Sequence, residues 1–133
     1  ICTVYHDEAE VEYVGANRPL LLFKGNEFSI IKPTKLSLGG NFMQVDKSVF
    51  TKQSLTTEDT KLFLFSKGLE DQTGGIDNTE FGIENIQEEF LQNRSTPFEK
   101  MGRVFDERID HWIKIGERRQ EDDILLIGFD LSK

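Results

Sequence analysis

Gln120-Glu121-Asp122-Asp123-Ile124-Leu125-Leu126-Ile127-Gly128-Phe129 is the stretch whose reading decides this fold. Two adjacent carboxylates run straight into an apolar segment. That segment predicts a closing strand over 124–129, buried on both sides. Side-by-side like charges are costly unless solvent or a cation compensates them. An Asp-Asp pair is commonly a solvated turn. At the mouth of a rigid strand it is also the kind of oxygen donor set that a hard divalent cation requires. Upstream, Leu62-Phe63-Leu64-Phe65 completes a second apolar strand, over 61–65, that leads onto Ser66-Lys67-Gly68. There Lys67 brings a positive charge next to where a metal would want a negative one, and Gly68 permits a tight bend just past the strand end.

Outward from these two strands, the first half of the chain reads as β-structure. Strands are predicted over 2–5 and 9–14, with His6-Asp7-Glu8 as the polar turn between them, and over 19–23 and 27–32 around a Lys24-Gly25-Asn26 turn. Gly39-Gly40 marks a further turn, and 45–52 reads as a weaker strand. The second half reads as helical. Phe81, Ile83, Ile86, Phe90 and Leu91 share one helical face. Thr96-Pro97-Phe98-Glu99 has the form of a capping box with proline at the first helical position. The helix it opens presents Phe98, Met101, Phe105, Ile109, Trp112 and Ile113 on one side, and Gly116 is expected to end it. A meander, then two helices, then a last strand is an α+β arrangement.

Composition bounds the function. The 133 residues carry a net charge of -8, with 11 Phe and 37% hydrophobic residues, enough for a modest core. No basic stripe exists to displace counterions from nucleic acid, and anionic membrane surfaces are excluded on the same ground. Cys2 is the only cysteine, so no internal disulfide forms, and a reducing, cytoplasmic setting is expected. No stretch approaches the length of an apolar membrane span. The chain opens on Ile1-Cys2-Thr3-Val4-Tyr5, already strand-like, so it is expected to be a piece of a longer protein.

Other chemistry-bearing residues read as ordinary. Arg18 could grip a phosphate with two prongs, but an ordinary surface arginine is the favoured reading. Glu70 and Asp71 could be ligands, but loop surface is the favoured reading. His6 and His111 have no partner at zinc-ligand spacing. Cys2 has neither a nearby histidine nor a helix start to lower its pKa, and is expected to be a small core residue. No Gly-rich phosphate loop and no Gly-x-Ser-x-Gly elbow is present.

The order of the short motifs carries more than any one of them. Tyr13-Val14-Gly15-Ala16-Asn17-Arg18-Pro19-Leu20 is followed by Lys35-Leu36-Ser37-Leu38-Gly39-Gly40 and by Leu64-Phe65-Ser66-Lys67-Gly68-Leu69-Glu70-Asp71-Gln72-Thr73-Gly74-Gly75. Phe81-Gly82 and Gln120 to Gly128 complete the series. Over nearly its whole length the chain thereby resembles the C-terminal half of SpoIIE-type phosphatases, in the metal-dependent type-2C serine/threonine phosphatase superfamily. The resemblance implies one half of an antiparallel β-sandwich with two packed helices near the C-terminus. It also implies two Mn²⁺ or Mg²⁺ ions at one edge and a metal-bound water that attacks a phosphoserine. Asp122 matches a metal ligand of the family, with Asp123 as a second candidate. Lys67 stands where the family has the aspartate of a Thr/Ser-Asp-Gly motif, so it marks a degenerate ligand position beside the Gly68 turn. The family's Asp-x-x-Gly-His-Gly ligand segment has no counterpart in residues 1–133.

An ammonium about 4 Å from a divalent ion is strongly repelled even at surface-like screening. Lys67 is therefore expected to pair with Asp122 in the cation's place. Three functions follow. One is a phosphatase domain of a bacterial signalling protein, acting on a phosphorylated regulatory protein and impaired unless only one of two metals is lost. Another is a pseudophosphatase, a protein-binding regulatory module within a larger, cytoplasmic sensor. The last is a fragment with neither activity. Direct membrane contact is not expected, and an exposed sheet edge is expected to pair with a second copy.

Overall fold

The computed structural model describes residues 1–5, 7–25, 27–37 and 49–131. His6, Asn26, Gly39-Gly40 and residues 45–48 of the expected weak strand lie outside the described residues. The chain divides into two units, one formed by 1–64 with 128–133 and the other by 65–127.

The first unit is a β-sandwich. Strands β1 (Cys2–Tyr5), β2 (Glu10–Tyr13) and β5 (Gln53–Thr56) form a three-stranded sheet in the order β1-β2-β5. Strands β3 (Leu20–Lys24), β4 (Glu27–Ile31), β6 (Thr60–Phe65) and β9 (Leu126–Asp130) form a second sheet in the order β4-β3-β6-β9. The pairings β1·β2, β2·β5, β3·β4 and β3·β6 are all antiparallel. Alternation explains the packing, because one side of each strand faces the partner sheet. Val11 and Tyr13 from β2 meet Leu20 and Leu22 from β3 and Leu62 from β6, and Cys2, Val4, Ile31 and Leu55 close around them. Leu21, Phe23 and Phe63 point to the opposite face of the second sheet and are also buried. That is why β3 and β6 read as continuous apolar runs. Gly25, at φ 58°, makes the β3–β4 turn.

The second unit is helical. Helix α1 (Lys67–Asp71) is followed by a two-strand ribbon, β7 (Thr73–Gly74) with β8 (Thr79–Glu80), then by α2 (Gly82–Gln92) and α3 (Met101–Ile115). The expected apolar faces pack α2 on α3. Phe90 meets Phe105 with ring centroids 4.6 Å apart, and Phe81 meets Trp112 edge-on at 5.4 Å. Arg108 seals the seam. Its Nε lies 3.2 Å from Glu89 Oε2, and its guanidinium sits 5.5 Å from both the Phe81 and Trp112 rings.

The structure corrects the expected elements in several places. Residues 51–52 are not strand, and the strand that joins β2 is Gln53–Thr56, whose polar residues carry little β signal. The segment after Thr96-Pro97 is a 3-10 turn over Phe98–Lys100 rather than α-helix, and no side-chain cap opens it or α3. The Thr96 hydroxyl turns back to Asn93 Oδ1 at 3.4 Å instead. Gly116 does end α3, but at φ -77°; the left-handed residue is Glu117 at φ 51°. Gly116 is required by close approach, since a Cβ there would sit 2.6 Å from Gly74 Cα. The closing strand is not buried on both sides. Among the described residues it is the last strand of its sheet, and Leu125, Ile127 and Phe129 are 55%, 40% and 41% exposed.

Candidate functional site

The second unit brings the two sequence-predicted segments together. Ser66 ties them at three points. Its amide donates to the Leu125 carbonyl at 2.9 Å, its hydroxyl donates to the Asp123 carbonyl at 2.9 Å, and the same oxygen accepts the Leu125 amide at 2.9 Å. Gly68 follows on the first turn of α1 and lies directly against Asp122-Asp123. A Cβ at Gly68 would overlap the Asp123 carbonyl oxygen and touch the Asp122 Cβ at 3.3 Å. The glycine is needed for this contact and not for a tight bend, because residue 68 is helical and outside the left-handed region.

Lys67 occupies the first position of α1. Its ammonium pairs with Asp71, four residues on, at 2.5 Å, whereas pairing with Asp122 was expected. The reason is local: an i,i+4 pair on a helix needs no tertiary adjustment. The two side chains are 66% and 39% exposed, so the pair sits in solvent. Asp122 Oδ1 accepts the Asp123 amide at 2.7 Å. Residues Gln120, Glu121, Asp122 and Asp123 line a shallow concavity of about 280 Å³. Glu121 is drawn aside, since its Oε1 accepts the Thr73 hydroxyl at 2.6 Å.

A divalent ion of the Mg²⁺ type takes about six oxygen ligands. Among the described residues, no group of three or more His, Cys, Asp or Glu side chains converges closely enough to hold one. The described residues therefore do not make a metal site by themselves.

The other candidates lie elsewhere. The Arg18 Nε donates to the Asn17 carbonyl at 3.1 Å, and its own carbonyl accepts the Tyr13 hydroxyl. Cys2 packs against the sandwich core, where burial raises its thiol pKa above the usual value. His111 is exposed on α3. The residue that sequence reasoning passed over is Gln72. It is 1% exposed and bonded to Arg119 and Glu121, just ahead of the aspartate pair. A polar residue after an acidic run gave no signal of burial.

With this geometry in view, the comparisons place the fold. The chain matches the PP2C domain of SiaA from Pseudomonas aeruginosa with a TM-score of 0.76 at 20% identity, over 92% of this chain and 46% of that one. It matches the phosphatase domain of the cell fate determinant SpoIIE from Bacillus subtilis with a TM-score of 0.62 at 11% identity, over 100% of this chain and 57% of that one. No protein-family model and no curated protein matches. The chain thus has the SpoIIE-type PP2C fold in part, as expected, and spans about half the length of these solved chains. Among the described residues no helix is long and apolar enough to cross a membrane.

Proposed function

We propose that residues 1–133 are the C-terminal portion of a protein-serine/threonine phosphatase domain in a bacterial signalling protein. Its substrate is a phosphorylated regulatory protein, and its divalent-metal site is impaired. The observation that supports this reading is the contact between Gly68 and Asp122-Asp123, formed within part of a PP2C fold. In this reading Asp122 is the ligand the chain retains, Asp123 a weaker second, and Lys67 the position at which a carboxylate has been lost. Mn²⁺ or Mg²⁺ is the ion concerned. The domain works in the cytoplasm, away from the bilayer and from nucleic acid.

A second reading is a pseudophosphatase that binds its partner without turning it over. The Lys67–Asp71 ion pair favours it, because the ammonium is held on the same helical turn as Gly68. In either case the β9 edge is proposed to pair with a second copy of the chain.

Calorimetric titration with Mn²⁺, run beside phosphopeptide hydrolysis, separates the two on the natural chain and on Lys67→Asp. Binding and turnover by the natural chain support the phosphatase. Binding by Lys67→Asp alone supports the pseudophosphatase. Binding by neither removes metal-dependent chemistry from these residues.

A further inference from the structure

The Gln72 side chain is buried in the second unit, and its amide is fully committed. Nε2 donates to the Thr73 carbonyl at 2.9 Å and to the Arg119 carbonyl at 3.0 Å. Oε1 accepts the Glu121 amide at 3.2 Å. These partners fix the orientation of the amide, because carbonyl oxygens only accept and a backbone N–H only donates. The Gln72 backbone is anchored as well. Its carbonyl accepts the Phe81 amide at 2.8 Å and the Trp112 indole N–H at 3.3 Å.

One buried residue therefore joins the end of α1, the start of α2 and the 119–121 segment. That segment lies between Gly116, which ends α3, and Asp122. Its neighbours Gln120 to Asp123 are exposed, so apolar burial does little to hold them. Backbone groups that are not paired in a ladder need another partner, and Gln72 supplies it on both sides of Gln120. Downstream, Ser66 takes over at Asp123 and Leu125. Asp122 is thus suspended between two polar clamps, one at residues 119–121 and one at 123–125.

We propose that Gln72 is a positioning residue. It sets the path of residues 119–121 and so presents Asp122 beside Gly68. What the presented carboxylate does rests on the phosphatase reading; the clamp itself does not. Gln72 acts through two backbone groups 47 and 49 residues away in sequence, which no short motif encodes.

The test is amide hydrogen exchange by NMR on the full chain, with Gln72→Met as the variant. Methionine keeps the volume and removes all three polar contacts. The Glu121 amide is expected to exchange at least about tenfold faster, as befits loss of a buried hydrogen bond. The Asp122 and Asp123 resonances should shift, while amides of β2 and β3 stay as they were. Thr73→Val, which removes only the Thr73–Glu121 side-chain contact, should move Glu121 exchange far less. Unchanged exchange at Glu121, or equal acceleration throughout the second unit, overturns the proposal. If Gln72→Met does not fold, exchange of the natural chain decides: the Glu121 amide is protected if Gln72 Oε1 holds it and exchanges as an unprotected amide if it does not, which overturns the proposal. Mn²⁺ affinity measured on the same proteins reads the other question. A natural chain that binds no Mn²⁺ counts against the phosphatase reading and leaves the exchange result to judge Gln72.

Discussion

Gly68 and Asp123 are in van der Waals contact across 55 residues of sequence, and the contact leaves no room for a side chain at position 68: a Cβ there would overlap the Asp123 carbonyl oxygen. Two effects oppose each other in Gly68→Ala. Alanine favours the helical backbone of α1 by roughly 0.5–1 kcal/mol. The clash is with backbone on a segment held at both ends, so it cannot be relieved by rotating a side chain, and overpacking of this kind costs about 1–3 kcal/mol. The clash wins. Gly68→Ala is expected to lower the urea midpoint by a net destabilisation of about 1–2 kcal/mol and to displace the Asp122 and Asp123 amide signals. An unchanged midpoint with unmoved signals would show that the two segments are looser than described.

Lys67→Asp tests charge with little effect on fold. The Lys67–Asp71 pair is exposed, and pairs of this kind contribute about 0.3–0.5 kcal/mol. The substitution puts two carboxylates at i,i+4, which costs a similar amount. An acidic residue on the first turn regains part of that loss through the helix dipole. Thermal unfolding should therefore shift by no more than a few degrees. The change to be sought is in Mn²⁺ calorimetry, where the new carboxylate is expected to produce measurable heat at millimolar ion or below. A large fall in thermal stability would mean that Lys67 has a structural role beyond its ion pair.

How much of this was legible in sequence depends on where the decisive atoms lie. The faces of α2 and α3 could be read because Ile86 and Phe90 on the first, and Met101, Phe105 and Ile109 on the second, recur at helical spacing and are buried for that reason. Strand β6 could be read because both of its faces are buried, which leaves an unbroken apolar run. Strand β5 could not, since Gln53-Ser54-Leu55-Thr56 is held by its ladder with β2 and only Leu55 reaches the core. The burial of β9 was over-read from its apolar residues, because strand order and not composition puts it at an edge. Helix α1 was missed because five residues with a glycine among them carry no period. The neighbourhood of Lys67, Gly68, Asp122 and Asp123 was anticipated from the resemblance alone; neither segment names its partner.

Arg108 is expected to be the most important charged side chain in the second unit. It is 28% exposed at the side chain, against 11% for Glu89, so the pair is partly shielded from water. Arg108→Met keeps much of the stem's packing but removes the charge over Phe81 and Trp112. Glu89 then retains only its Asn93 contact, Nδ2 to Oε1 at 2.7 Å. A fully buried pair broken on one side costs about 3–5 kcal/mol, and partial exposure brings the expected loss to about 1–3 kcal/mol. The double variant Arg108→Met with Glu89→Gln should recover part of it, because no uncompensated carboxylate remains. Equal destabilisation by the single and double variants would locate the loss in aromatic packing instead.

Cys2 gives a pH-dependent prediction of definite sign. Burial is the main cause raising its thiol pKa, and the terminal ammonium opposes it weakly. The folded chain thus holds its thiol proton more tightly than the unfolded chain, whose pKa is about 8.5. The stability this contributes is fully present below that value and is lost as pH rises through the folded pKa. Alkylation of Cys2 in the folded protein should accordingly be slow near neutrality, with its half-rate pH displaced upward from that of the urea-unfolded chain. Coincident pH profiles in the two states would show that Cys2 is solvated and does not pack on the sandwich core.

The edge strand yields the last prediction. Among the described residues β9 ends its sheet, and Leu125, Ile127 and Phe129 stand half-exposed along one side of the same stretch. A strand at the edge of a sheet with alternating apolar side chains is a template for a further strand, and a charged residue is the usual way to block it. If the edge pairs with a second copy, sedimentation of this chain at micromolar concentration should give a dimer, and Ile127→Lys should give a monomer of unchanged far-UV spectrum. The substitution adds no clash, since Ile127 is 40% exposed and the lysine head can reach water. A natural chain that sediments as a monomer across the same range would leave the β9 edge without a self-pairing role, and Ile127→Lys would then behave as a neutral surface change.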